Sequence, residues 1–536
     1  MLTKRGLFTL LLLIYSSVLT AQKVPKNGWH LKDYSTDNCY GISLEKAYAF
    51  LKEKGIKPHS IIVGVLETGI DTAHEDLASV LWQNKSEIGG NRSDDDQNGY
   101  VDDIHGWNFL GGASGNVTVT TSEWTRVYWR YKTKFDDKSI DTNSLSRLEK
   151  YEYALWLKAR SGVVGKGPSK GRLDTMRAYI RNVVFCDSIL QILLDKPVYD
   201  TKALTSWKPT SKDEIALKDF ILAVFEQFET KELKNIIVIK ELSNYLEGEE
   251  LKAKSEKEAP TDRRRTLTAN DDTDPGTLRY GNDNIWAGPN LHGTHVAGII
   301  GAARNNGKGI DGIADAAYLM CVRCTSDGDE YDKDIASAIR YAVDNGAKVI
   351  NMSFGKSLSP DKLMIDDAVR YAMRKDVLLV HASGNSGRDI NGFDNFPNPR
   401  FLFSDSIASN WITVGASDYN GYPASFSNYG NKIVDVFAPG VDIYSTTPGE
   451  VQYTSLDGTS MASPVVAGVA VILREYFPAL TAAEIKNIIV QSVTVPPSPR
   501  NNAGDKKQKW IKNICISGGI LNAFTAVKLA YEYSQK

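Results

Sequence analysis

The sequence predicts an α/β fold: a mostly parallel sheet flanked by helices, interrupted by a largely helical insertion. Two observations carry this. From residue 279 to the end, apolar strand-like runs (317–324, 348–353, 377–382, 411–416 and 433–438) alternate with amphipathic stretches (293–304, 334–345, 363–374, 460–476, 482–491 and 522–533). Short β-runs separated by helices call for crossover connections, which a parallel sheet covered on both faces supplies. The region from about 122 to 255 has another texture, rich in Lys, Glu, Tyr, Trp and Leu, with helical periodicity over 145–160, 173–194 and 212–229.

The elements follow in order. Lys4 and Arg5 precede the apolar run 7–19, and Thr20-Ala21 offers a cleavage point, so residues 1–21 are expected to be a signal peptide. An uncleaved anchor is the alternative. No cysteine near the cut suggests a lipid anchor. Residues 22–109 form the first part of the α/β domain, with a helix at 43–53 and an apolar run at 61–66. Residues 110–278 are the insertion and a polar linker, and 279–536 complete the domain. Arg263-Arg264-Arg265 is expected in an exposed loop, open to processing. No further stretch is long and apolar enough to span a bilayer, which points to a secreted or periplasmic protein without stable membrane insertion. A formal net charge of -2 over 536 residues gives no argument for a nucleic-acid partner. Five cysteines are too few and too scattered for a disulfide framework. Cys321 and Cys324 lie on one predicted strand, where residues three apart point to opposite faces, so a redox or zinc pair is not expected.

Three motifs carry chemistry. Asp457-Gly458-Thr459-Ser460-Met461-Ala462-Ser463-Pro464 opens an apolar helix, placing a hydroxyl beside unpaired backbone N–H groups. Taken alone, Ser460 reads better as a helix cap. His292-Gly293-Thr294-His295-Val296-Ala297-Gly298 puts two histidines where another helix begins, with no carboxylate between them to favour a zinc pair. Ala382-Ser383-Gly384-Asn385-Ser386-Gly387 ends an apolar strand with an amide donor, where sites of open α/β sheets gather.

With these motifs the chain resembles the subtilases, the subtilisin-like serine protease superfamily, over residues 42–109 and 279–536. The resemblance implies a nucleophile at Ser460, a general base at His292, and an oxyanion hole formed by Asn385 with the Ser460 N–H. It also implies a substrate-pairing segment at Ser353-Phe354-Gly355, taking protein or peptide substrates as an added strand. The third signature departs from the family. Val65-Leu66-Glu67-Thr68-Gly69 carries glutamate where subtilases carry aspartate, so the orienting acid is expected to be Glu67, with Asp71 beyond the turn as a weaker substitute. The primary pocket is expected near Asn395-Phe396-Pro397, walled by Phe354-Gly355 and 382–384. No acidic residue guards it, which favours an apolar or broad preference.

The chemistry needs no cofactor. The acidic run 94–103 has Asp-x-Asp-x-Asn-Gly spacing like the first half of a calcium loop, giving Asp94, Asp96, Asn98 and Asp103 as candidate ligands of a structural calcium. A solvated acidic turn is the alternative. The family also has a calcium site near the position of Asp76, whose other ligands do not map onto this sequence. Three functions stay open at this stage: a serine endopeptidase, a catalytically impaired binding or scaffold module, and an esterase or ligase-like acyl transferase.

Overall fold

The computed structural model describes residues 27–136, 139–227, 234–288, 290–449, 452–498 and 509–535; the expected signal peptide lies outside them. Among the described residues, nine strands form one sheet: β1 Ile61–Glu67, β2 Gly106–Asn108, β3 Ala317–Arg323, β4 Val349–Met352, β5 Leu378–Ala382, β6 Trp411–Ser417, β7 Val436–Pro439, β8 Val493–Thr494 and β9 Ile520–Leu521. Their spatial order is β8-β9-β7-β6-β5-β4-β1-β3-β2. All neighbours run parallel except β8 and β9. The protein is thus α/β, with a mostly parallel sheet and flanking helices.

The strands are buried on both faces, and their alternation assigns each side chain to a layer. Val63, Val65, Val349, Leu378 and Val380 join one apolar cluster with the helix Thr459–Tyr476, while Leu66, Ile350 and Leu379 join the other with the helices Asp332–Asp344 and Lys362–Arg374. Cys321 lies in the first cluster and Cys324 in the second, both as free buried thiols. In Thr459–Tyr476 every residue except Ser460 is buried, so this helix is the spine of the first layer. Each Val, Leu or Ile it buries stabilises the fold by about 1.5–3 kcal/mol. The run 433–438 becomes strand only at Val436, because Ile433 and Val434 pack beside Ile511 and Cys515 in a side cluster.

Strands β4 to β7 are laid down on one side of β1, and β3 and β2 on the other. That reversal of direction is a topological switch point, which leaves a crevice at the carboxyl ends of the strands.

Between β2 and the helix Leu291–Gly301, the chain builds the helices Glu123–Phe135, Arg147–Val163, Lys170–Leu194, Thr201–Ser206, Lys212–Phe225, Asn235–Lys254 and Arg263–Thr268. Val127, Tyr131, Leu155 and Trp156 fill one apolar cluster, and Val183, Leu190, Ile221, Val224 and Val238 another. The insertion docks on the loop that follows β4. Arg130 makes a bidentate pair with Asp361 (2.7 and 2.8 Å), and the Tyr151 hydroxyl donates to the Ser359 carbonyl at 2.7 Å.

The arginine run is not an exposed loop. Arg264 is 1% exposed and its Nε donates to both oxygens of Asp334 (3.1 and 2.8 Å), with its guanidinium over the Tyr280 and Tyr331 rings. A charge reaches the interior only when it is paired there, and Asp334 is the partner that local sequence did not reveal.

Candidate active site

β1 ends at Glu67, and the helix Leu291–Gly301 begins beside it because residue 293 is glycine. A Cβ there would lie 2.2 Å from the Gly69 carbonyl oxygen and 2.9 Å from the Glu67 Cβ. This approach brings His292 Nδ1 to 2.7 Å from Glu67 Oε2. Since a carboxylate accepts, Nδ1 carries the proton and Nε2 is left with its lone pair. Glu67 is 1% exposed, Thr68 N–H donates to the same oxygen at 3.3 Å, and Oε1 is buried without a hydrogen-bond partner. Burial pulls the His292 pKa down, but the Glu67 carboxylate more than offsets this by charge and hydrogen bond, with help from Glu241 and Asp327; the net shift is upward.

Ser460 sits in the first turn of its helix. Pro464, four residues on, has no N–H, so the Ser460 carbonyl loses its helical donor. Ser353 Oγ donates to that carbonyl at 2.9 Å, and Ser460 Oγ donates to the Ser353 carbonyl at 2.9 Å. The residue that follows β4 is therefore clamped to the first turn of the helix in both directions.

Asn385 follows β5. Its Oδ1 accepts from the Thr459 N–H (2.9 Å) and hydroxyl (2.7 Å), which fixes the amide and frees Nδ2 as a donor. A Cβ built on Gly458 would stand 3.4 Å from that Nδ2 and 3.5 Å from Ser460 N, so both donors border one small space that glycine keeps open. Donors fixed around such a space can hold a developing oxyanion.

Phe354 packs at the edge of the second cluster, and its carbonyl accepts from His381 Nε2 at 2.8 Å. Gly355 faces Asn395, whose Oδ1 would be 3.2 Å from a Cβ there and 3.3 Å from one on Gly384. Asn395 thus lies between the two predicted walls of the primary pocket. On the opposite side of the cleft, Asp327 directs its N–H and carbonyl outward to Thr118 and Thr120 (3.3 and 2.7 Å). β3 and β4 flank β1, and β1 stops at Glu67.

The other candidates divide. His295 is buried, donates Nε2–H to the Thr454 carbonyl at 3.2 Å, and has its pKa pushed down to about 3 by burial; it pairs with no metal ligand. Asp71 accepts from the Ala73 N–H at 3.0 Å and shapes the turn rather than approaching His292. In the acidic loop, oxygens of Asp96, Asp103 and Glu87 lie within 4.8 Å of one another. Asp94 instead accepts from the N–H groups of Asn98 and Gly99. Asn98 turns its amide nitrogen toward Asp96 and Asp103, both at 3.2 Å. Glu87, seven residues upstream of Asp94, escaped notice because the loop spacing does not include it. Burial raises the Asp103 pKa to about 6, although its carboxylate accepts from Tyr341, Asn84 and Asn98. Asp76 is fully buried and already accepts from Asn306 Nδ2, Ile310 N–H and the Tyr453 hydroxyl (2.7, 3.1 and 2.8 Å).

Two residues at the site carried no sequence signal. Leu291, immediately before His292, packs into the insertion's second apolar cluster beside Val238 and Leu242. Glu241, on the same helix, adds its charge to the surroundings of His292.

A profile of the Subtilase family matches residues 59–510. Thermitase of Thermoactinomyces vulgaris is 44% identical over 193 residues, 36% of this chain and 64% of its own length. Subtilisin BL of Lederbergia lenta is 41% identical over 206 residues, 38% of this chain and 71% of its own. The thermophilic serine proteinase of Bacillus sp. (strain AK1) is 45% identical over 185 residues, 34% of this chain and 42% of its own. The chain thus spans between about two fifths and seven tenths of the length of the relatives it matches. With a match across most of its length, this chain belongs to the subtilase family.

Proposed function

We propose that the protein is a secreted serine endopeptidase that cleaves peptide bonds through an acyl-enzyme on Ser460. The observation that carries the reading is the 2.7 Å contact between Glu67 and His292 Nδ1, which leaves Nε2 free to take a proton. Ser460 Oγ attacks the scissile carbonyl carbon as its proton passes to His292 Nε2. Glu67 holds the imidazole in the required tautomer and stabilises the imidazolium. Asn385 Nδ2 and the Ser460 N–H receive the oxyanion. When the tetrahedral intermediate collapses, the C–N bond breaks and the imidazolium proton goes to the leaving amine. Water then attacks the ester through the same base and releases the acid. The segment 353–355, which continues β4 past the end of β1, favours an extended peptide over a small ester, and the lack of an acidic residue among 382–384 and 395–397 favours an apolar or broad preference. A calcium ion held by Glu87, Asp96 and Asp103 would stabilise the loop beside β2 without entering the chemistry. Secretion rests on the character of residues 1–21. No helix among the described residues is long and apolar enough to cross a membrane.

A second reading, an impaired subtilase acting as a binding module, draws on one observation: the Ser460 hydroxyl donates to Ser353 rather than to His292. Labelling with a fluorophosphonate separates the two. Endopeptidase function requires labelling of the parent chain and none of Ser460→Ala. An unlabelled parent chain that still binds peptide would favour the module.

A further inference from the structure

A cavity of about 550 Å³ lies where the insertion meets the loop that carries the primary-pocket wall. That volume is within the range of about 300–1,000 Å³ usual for small-molecule sites, which gather at such boundaries. One wall is a single face of the helix Arg147–Val163, with Tyr151, Leu155 and Lys158 at helical spacing; the other carries Phe393, Phe396 and Phe401. The lining thus combines aromatic rings with cations: Arg147, Lys158, Arg400, and Lys362, which pairs with Asp366.

Lys158 is half-buried and pays for desolvation without an ion-pair partner among the described residues. It makes one hydrogen bond, to the Ser357 carbonyl at 3.1 Å, and its ammonium lies 5.7 Å from the centroid of the Trp124 ring. Of the two carboxylates in the lining, Asp394 is held by Arg388 and Asp405 lies 3.9 Å from Arg400. Arg147, eleven residues before Lys158, is at the far end of the helix face, where it stacks on Phe403 and donates to that residue's carbonyl. The cavity therefore offers an aromatic-lined volume and a positive charge that lacks its anion. This site backs onto the expected primary pocket, with Phe396 on the boundary between them. Phe396 exchanges both backbone hydrogen bonds with Lys356 (2.9 and 2.8 Å), and that strand pair stands between the cavity and Gly355.

We propose that this cavity binds an aromatic carboxylate, its charge at Lys158 and its ring among Phe393, Phe396 and Phe401. The same chemistry is offered by a small arylalkyl acid and by a peptide ending in an aromatic residue. The test is calorimetry on the full chain carrying Ser460→Ala, so that no probe is consumed. The probes are N-acetylphenylalanine, its amide, and the free-acid tetrapeptide Ala-Ala-Ala-Phe. Saturable binding of the acid is expected, at least tenfold tighter than the amide. Lys158→Gln should reduce the acid to the level of the amide, and Lys158→Arg should restore the preference. Tighter binding of the tetrapeptide than of N-acetylphenylalanine would assign the ligand as a peptide terminus, and the reverse as a small acid. The proposal fails if no acid binds, if acid and amide bind equally, or if Lys158→Gln binds like its parent, which would put the acid in the catalytic crevice instead.

Discussion

Replacing Glu67 by aspartate tests whether glutamate is a handicap at this site or the residue the backbone now requires. The glutamate carboxylate meets His292 Nδ1 at 2.7 Å, with Glu67 buried at the end of β1. Removing one methylene draws the carboxylate back by about 1.3–1.5 Å, one C–C bond, which opens the contact to about 4 Å, beyond hydrogen-bonding distance. The backbone has little room to follow, because the Gly293 position is already packed against the Gly69 carbonyl and the Glu67 Cβ. A hydrogen bond to a charged group is worth about 1.5–3 kcal/mol, so the loss corresponds to about 10- to 150-fold in rate. The negative charge remains, so the drop should stay well short of the roughly 3 × 10⁴-fold cost of losing a subtilase acid altogether. The assay is the second-order rate of fluorophosphonate labelling, which needs no knowledge of specificity, alongside kcat/KM on a peptide anilide. Glu67→Gln belongs in the same series and should be slower than Glu67→Asp, since an amide can hold the wrong tautomer. An aspartate variant as fast as the parent, or faster, would refute this reasoning and show that the backbone still fits the shorter acid.

Three further outcomes follow from contacts already described. Ser353→Ala removes the only hydroxyl that compensates for Pro464, leaving the Ser460 carbonyl unpaired; the cost should be about 1–3 kcal/mol in denaturant unfolding, with kcat falling more than KM. His292 titrates above its ordinary 6.5, and the base must be neutral, so the acid limb of kcat/KM should have its midpoint above 6.5 and move down in Glu241→Gln. The same raised pKa means that this pair's contribution to stability is fully present below about 6.5 and is lost as pH rises through the folded value. Asp334→Asn leaves the Arg264 guanidinium buried beside an uncharged partner, and should lower stability by about 3–5 kcal/mol in urea melts.

The parts that were legible in sequence are those fixed by local pattern. The apolar runs and amphipathic stretches mark six of the sheet's strands and the helices between them, because burial on both faces leaves a continuous apolar signature. Ser460, His292 and Asn385 stand at element ends, where the motif and the geometry coincide. What was not legible depends on partners distant in sequence. Gly106–Asn108 is too short to show any period, yet pairs with β3. Arg264 looked exposed until Asp334 supplied its counter-charge, seventy residues away. The helix Asn235–Lys254 buries only a few scattered positions and carries many charges, so it has no clear apolar stripe to read. Glu87 joins Asp96 and Asp103 only through the folding of the loop.

The packing of Leu291 into the insertion's own apolar cluster ties the general base to a part of the molecule the sheet does not support. Small helical units whose buried area is modest open at lower free energy than a wide central sheet. Warming this protein should therefore loosen the Leu291 side of His292 while the strands, and the Glu67 contact at the end of β1, are still intact. Heat inactivation would then occur below the main calorimetric transition and reverse on cooling, with the insertion serving as a built-in thermal fuse.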